Sequence, residues 1–313
     1  MSTRVWPTRY SNWSEGALYS RFRGEVWKSL DEGAREDLLQ EVVNRAAESG
    51  GQTAACRVLF AELEPSVAGE QSGAFIRLNR EMFVNDRQAA EYQGTPIYRP
   101  LPDANLRALE TALHEDQHAW QNQVVRGEIP GADPSLRREY AANQFQSVPL
   151  TQADGTPRTG STYLQGRIGG DAGYELYYFQ ATERDAHRVS EARTVEIMNE
   201  LAAQYGDEPS FEAFRATVAE EGYDAVFAEA CETLGVSDPP AQINQSLMNH
   251  VYGTRFPVEP SLEALVQWEM ALSYDALNSG QELRAESGGQ EPGTDVSGPD
   301  PGDGESAAEG MSL

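Results

Sequence analysis

The sequence predicts an α+β protein that is predominantly helical and carries a small sheet. Three observations lead there. Apolar residues recur every three to four positions over most of the chain, the period of a helix with one buried face. Strict alternation is confined to a short region before residue 80. The last thirty or so residues are Gly, Pro, Ser and acids with almost no large apolar groups. Such a segment cannot bury enough surface to offset its ordering entropy. The expected organisation is therefore one domain over 1–280, with a helical and strand region at its N-terminal end, followed by a disordered acidic tail over 281–313.

In chain order, the first clear element is "LDEGAREDLLQEVVNRAAESGG". It places Leu38, Leu39, Val42, Val43 and Ala46 at helical spacing and stops at Gly50. "GAFIRLN" alternates Ala74, Ile76 and Leu78 on one face, the period of a strand, and "TAACRVLF" before it suits a second strand. Beyond residue 100 the pattern is helical over 103–126, 174–205, stretches within 210–235, and 261–278, the last with Ser261 as N-cap and Gly280 as its stop. The Gly- and Thr-rich connection 147–173 is too long for a plain turn, and suits either a loop bordering a site or a flexible insertion.

Composition narrows the function classes. The 313 residues include 24 basic and 50 acidic ones, a formal net charge of -26, and Lys28 is the one lysine. From 281 to 313 there are eight acids and one arginine, so most of the acidity belongs to the first 280 residues. Nucleic acid and anionic membrane are poor partners for such a surface, because both are bound by Lys and Arg displacing counterions. Cys56 and Cys231 lie far apart without a metal or disulfide spacing and read as two buried thiols. The opening "MSTRVWPTRYSNWSEG" lacks an apolar h-region, and no stretch approaches the roughly 20 apolar residues that span a bilayer. A protein that is cytoplasmic, or exported without a Sec signal, is expected.

The chemistry concentrates in "DANLRALETALHEDQHAWQNQVVRG", which holds two of the four histidines. Asp103 is placed to cap this helix and Gly127 to end it, with Leu106, Leu109, Leu113, Trp120 and Val124 as its buried stripe. His114 and His118 are displaced by only about 40° around a helix and share a face. Two imidazoles one turn apart supply two corners of a zinc tetrahedron. Glu115 is rotated by about 100° from His114, too far for a third corner but well placed as general base for a metal-activated water. This is the logic of the H-E-x-x-H order.

A third ligand is expected from a later helix. "YELYYFQATERDAHRVSEA" offers Glu183, Asp185 and His187, with Glu183 and His187 on one face and Asp185 turned away. Together, "HEDQHAWQ" and the later aromatic stretch leading into "ERDA" resemble the gluzincin-type zinc metallopeptidases, including small bacterial members with an HExxHAxQ and ExDA arrangement. The resemblance spans about residues 70–195. It implies a zincin-like domain with an HExxH active-site helix, a Zn2+ cofactor held by His114, His118 and Glu183, and Glu115 as the catalytic base. It further implies that "AFIRLN" is the edge strand along which an extended substrate lies. Asp185 would then orient a ligand, and His187, which the pattern does not require, would replace Glu183, donate to it, or stand exposed.

The reaction so implied is hydrolysis of a peptide bond in a peptide or protein. A non-catalytic zinc protein whose site is closed by a fourth ligand such as His187, or a toxin-like effector of the same fold, are the competing expectations. Tyr174, Tyr177 and Tyr178 are candidate oxyanion donors or simple packing, His250 reads as structural, and Gln121 as support for the histidine face.

Overall fold

The computed structural model describes residues 2–272 apart from 93, 94 and 153, and within these the chain is mainly helical with small sheets. Two short helices, α1 (Glu15–Tyr19) and α2 (Gly24–Ser29), lead into α3 (Glu32–Ser49). The α3 helix starts where the Asp31 side chain accepts from Ala34 N and stops at Gly50, and it buries Leu38, Leu39, Val42 and Val43 as the spacing predicts.

The strands β1 (Arg57–Ala61), β2 (Gly69–Ser72) and β3 (Phe75–Asn79) form a sheet in the order β1-β3-β2, with β3 parallel to β1 and antiparallel to β2. Ile76 and Leu78 are buried in β3, as the alternation requires, whereas Ala74 precedes the strand and is exposed. The expectation that "AFIRLN" is the edge strand is corrected, since β3 lies in the middle and β2, a glycine followed by the polar Glu-Gln-Ser, forms one edge. The reason is that β3 is paired on both sides, by β1 from 18 positions before it and by β2. Gly73, at a left-handed φ of 59°, begins a two-residue reversal that folds β2 back on β3. A strand without apolar alternation leaves no periodic signal.

After α4 (Arg80–Phe83) and the hairpin of β4 (Arg87–Tyr92) with β5 (Thr95–Pro100) comes the long helix α5 (Ala104–Arg126). Leu106, Leu109, Leu113 and Val124 are buried, and Gly127 ends the helix at φ 74°, where Glu128 N bonds back to Gln123 O. Trp120 is partly buried and donates to Gly50 O. Asp103 precedes the helix but its side chain does not cap it; the carboxylate instead accepts from Thr217 Oγ1 and pairs with Arg107.

The chain continues through α6 (Pro134–Asn143) into the 147–173 connection, most of which is the hairpin of β6 (Ser147–Thr151) and β7 (Pro157–Ser161). The single helix expected over 174–205 is two helices, α7 (Asp171–Tyr178) and α8 (Ala181–Tyr205). Gln180 breaks them by adopting an extended ψ of 149°. Its buried side chain accepts from Leu164 N and Asn143 Nδ2 and donates to Leu164 O, bonds that a continuous helix would not place there. The break puts Glu183 in the first turn of α8.

Three further helices follow, α9 (Pro209–Glu221), α10 (Tyr223–Leu234) and α11 (Pro239–Tyr252), and residues 260–272 are also helical, so that Ser261 lies within that helix and does not cap it. The remainder of the 261–278 helix, Gly280 and the 281–313 tail lie outside the described residues. No helix among the described residues is long and apolar enough to cross a membrane.

Two hydrophobic cores result. One packs α3, β1, β3, α5 and the far end of α8 around Trp27, Phe83 and Leu109. The other packs the β6-β7 hairpin, α7, α10, α11 and the 260–272 helix around Leu176, Phe179 and Met270. The α5 and α8 helices pack directly on each other, and a small apolar cluster of Val124, Tyr140 and Ala181 secures their contact beside the histidine face. Of the two cysteines, Cys56 is buried as expected, but Cys231 is partly exposed on α10 because its side chain turns toward Ser237 O.

Candidate metal centre

The α5 helix turns His114 and His118 toward the N-terminal turn of α8, from which Glu183 enters. The two histidine Nε2 atoms are 3.0 Å apart, and Glu183 Oε2 lies 3.5 Å from His114 Nε2 and 3.4 Å from His118 Nε2. These three edges match the roughly 3.3 Å expected between ligand atoms of a tetrahedral ion bound at about 2.0–2.1 Å. Glu183 is 3% exposed, and its Oε2 has no hydrogen-bond partner among the described residues. A buried carboxylate oxygen left open between two imidazole nitrogens is the arrangement a divalent cation completes.

Two of the three candidate ligands are held from behind. Gln121 Oε1 lies 3.0 Å from His118 Nδ1 while Gln121 Nε2 donates to Thr182 O at 2.8 Å, so one side chain orients the imidazole and ties α5 to α8. Tyr163 OH donates to Glu183 Oε1 at 3.1 Å. Tyr163 comes from the 147–173 connection, which therefore does border the site. Burial, with the Glu183 charge added, holds the Tyr163 phenol well above its ordinary range, so it remains a donor. Without a cation, burial disfavours the His118 imidazolium, but the Glu183 carboxylate outweighs that and holds His118 up to about 9, while the paired histidines keep Glu183 well below the usual carboxylate range.

Glu115 is also buried, and burial pushes its carboxyl upward against the opposing pull of His114 and His118. It sits beneath β2. A Cβ added at Gly69 would stand 2.6 Å from Thr111 Cγ2 and 3.2 Å from Glu115 Cγ, so the absence of a side chain is what lets the strand lie on this helix. Because Asn79 N donates to Ala68 O, the alternation of antiparallel pairing turns the backbone groups of Gly69 and Gln71 to the outer edge. Two cavities open on either side of this edge, and both reach His114, Glu115 and Tyr177.

His187 follows Glu183 by one turn. Its ring stacks on Tyr178 at a centroid distance of 4.2 Å and an angle of 19°, and stands 4.4 Å from the His114 ring. Burial, with His114 nearby, pushes it down to about 3, which keeps it a neutral ring. His114, Glu183 and His187 also bring ligand atoms within 4.8 Å of one another. The set containing His118 is tighter, with every edge at 3.5 Å or less.

Asp185 is not at the centre; it accepts from Tyr140 OH at 2.9 Å and pairs with Arg184, because its helical phase points it toward α6. Tyr174 and Tyr178 line the larger cavity beside His187, and Tyr177 packs against Tyr163. His250 pairs with Glu263 at 2.9 Å, away from the histidine cluster on α5. The residue that the periodicity did not single out is Tyr163, although its position in an overlong ordered connection was a signal that it could reach a site.

The site is thus a cluster of two imidazoles and a buried carboxylate with a further carboxylate beside them, a donor set whose spacing could hold a divalent cation. Comparison of the chain with family models, curated proteins and solved structures returns no match, so its chemistry rests on its own residues.

Proposed function

We propose that this protein is a zinc-dependent metallopeptidase with a gluzincin-like site, in which His114, His118 and Glu183 hold Zn2+ and Glu115 is the catalytic base. The observation that carries this reading is the triangle of Nε2, Nε2 and Oε2 atoms with edges of 3.0, 3.4 and 3.5 Å, with Glu115 on the adjoining helical position. Zinc in such a site polarises a scissile carbonyl and makes a water molecule acidic enough to be deprotonated near neutral pH.

The remaining work falls to the chain. Glu115, with its carboxyl raised by burial, takes the proton of the attacking water and returns it to the departing amine. The outer edge of β2 offers the backbone groups of Gly69 and Gln71 to an extended substrate, which adds to the sheet as one more strand. Tyr163 keeps Glu183 oriented. Peptide or protein is the substrate class, and the formal charge of -26 argues against nucleic acid or an anionic membrane as partner.

The test is metal content together with hydrolysis of unfolded casein. Wild-type protein and Glu115→Gln should both hold close to one zinc per chain, and only the former should cut. Proteolysis that survives Glu115→Gln would refute the mechanism.

The position of His187 supports a second reading, a closed site that holds zinc with four protein ligands and stabilises the fold. Substitution His187→Phe separates the two. In a peptidase it leaves zinc affinity within a few-fold, and in a closed site it costs about 10–100-fold or more.

A further inference from the structure

The larger cavity, about 410 Å³, lies between β2, α5, α7, α8 and α9 and opens on His114 and Glu115. Its volume is within the roughly 300–1,000 Å³ of small-ligand pockets. One wall is α5, where Glu110 precedes His114 by one turn, about 6 Å along the axis. Among the described residues Glu110 makes neither a hydrogen bond nor an ion pair. Its neighbour Arg107 is committed elsewhere, 2.7 Å from Glu221 and 3.5 Å from Asp103. Glu191, across the cavity, accepts from Tyr223 N at 2.7 Å. The opposite wall is aromatic, with Tyr174 and Tyr178 at 5.5 Å between ring centroids.

An unpaired, half-buried carboxylate on a cavity wall opposite aromatic rings is a poor place for an apolar or acidic group and a good one for a cation, which gains both a counter-charge and ring faces. We propose that this cavity is the specificity pocket of the site and receives a lysine or arginine side chain of the substrate next to the scissile bond, with Glu110 as its counter-charge. The assignment of a scissile bond rests on the metallopeptidase reading, whereas the binding of a basic side chain does not.

Burial pushes the Glu110 carboxyl up to about 7, with Arg107 drawing it down and the nearby Glu191, Asp103 and Glu221 raising it. A bound cation removes that penalty. Arg107 is the one described lysine or arginine lining this cavity, which His114 and His187 also line.

The experiment uses zinc-loaded full-length Glu115→Gln and three fluorescently labelled hexapeptides that differ at one central position, arginine, norleucine or glutamate. The arginine peptide should bind about tenfold or more tightly than the norleucine peptide, and the glutamate peptide most weakly. Adding Glu110→Gln should bring the arginine and norleucine affinities together, and adding Glu110→Asp should keep a preference. Unchanged norleucine affinity in each variant reports that the cavity is intact.

Equal binding of arginine and norleucine in the parent protein, failure of all three peptides to bind at millimolar concentration, or a preference that survives Glu110→Gln would each overturn the proposal. If the preference behaves as expected but the protein with Glu115 intact cleaves none of the peptides, the pocket stands and the peptidase reading falls.

Discussion

Gln121 Oε1 lies 3.0 Å from His118 Nδ1, and the same side chain donates from Nε2 to the Thr182 carbonyl next to Glu183. Two of the three candidate ligands are therefore positioned by one buried amide that crosses from α5 to α8. With Nδ1 engaged by Gln121, it is Nε2 that faces the cation position.

Substitution Gln121→Leu keeps the volume and removes both bonds. Zinc affinity, measured by competition with a chelator of known strength, should fall by about 10–100-fold. Helical content by circular dichroism should hold, and an unchanged zinc affinity would show that Gln121 orients nothing.

Gly69 is required by the close approach of β2 to α5. Gly69→Ala places a Cβ 2.6 Å from Thr111 Cγ2 and should cost about 1–3 kcal/mol in a denaturant titration. Thr111→Ser removes that methyl group. The double variant should recover most of the loss, and additive costs would place the strain elsewhere.

Glu175 on α7 is buried with no hydrogen-bond partner for its Oε2 among the described residues, and burial pushes its carboxyl from 4.5 up to about 7. A carboxyl raised on folding binds its proton more tightly in the native state. Its cost is absent below the unfolded value, grows between pH 4.5 and 7, and is complete above 7. Glu175→Gln should therefore raise the melting temperature at pH 8, by a stabilisation on the order of 2–3 kcal/mol, and leave it nearly unchanged at pH 4. An equal effect at both pH values would contradict this environment.

Glu269, in the 260–272 helix, is fully buried and accepts from the backbone amides of Gln165, Arg167 and Ile168 at 2.8 to 3.0 Å. It anchors the loop between the β6-β7 hairpin and α7, immediately after Tyr163. Glu269→Gln turns a donor toward those amides and weakens charge-assisted bonds worth about 1.5–3 kcal/mol each. Limited proteolysis should then cut at 163–170 at concentrations that leave the wild type intact, and resistance in the variant would show that the loop is held by other contacts.

Much of this was readable from residue order. The helical period drew α3 and α5 with their glycine stops, the alternation at 75–79 drew β3, and the spacing of His114, Glu115 and His118 put two imidazoles on one face because one helical turn dictates it. Glu183 and His187 were legible as a pair for the same reason. These are local properties, fixed by dihedral geometry within a few residues.

What required the tertiary structure is everything that depends on distant segments meeting. The edge role of β2, the break at Gln180 that brings Glu183 into the first turn of α8, the bond from Tyr163, and the removal of Asp185 to Tyr140 all arise from contacts between residues 18 or more positions apart or from bonds made by buried side chains. Polar strands and isolated glutamines carry no periodicity, since their conformations are selected by partners that satisfy buried hydrogen-bonding groups. Sequence order therefore named the ligand-bearing helices, and packing decided which of their atoms converge.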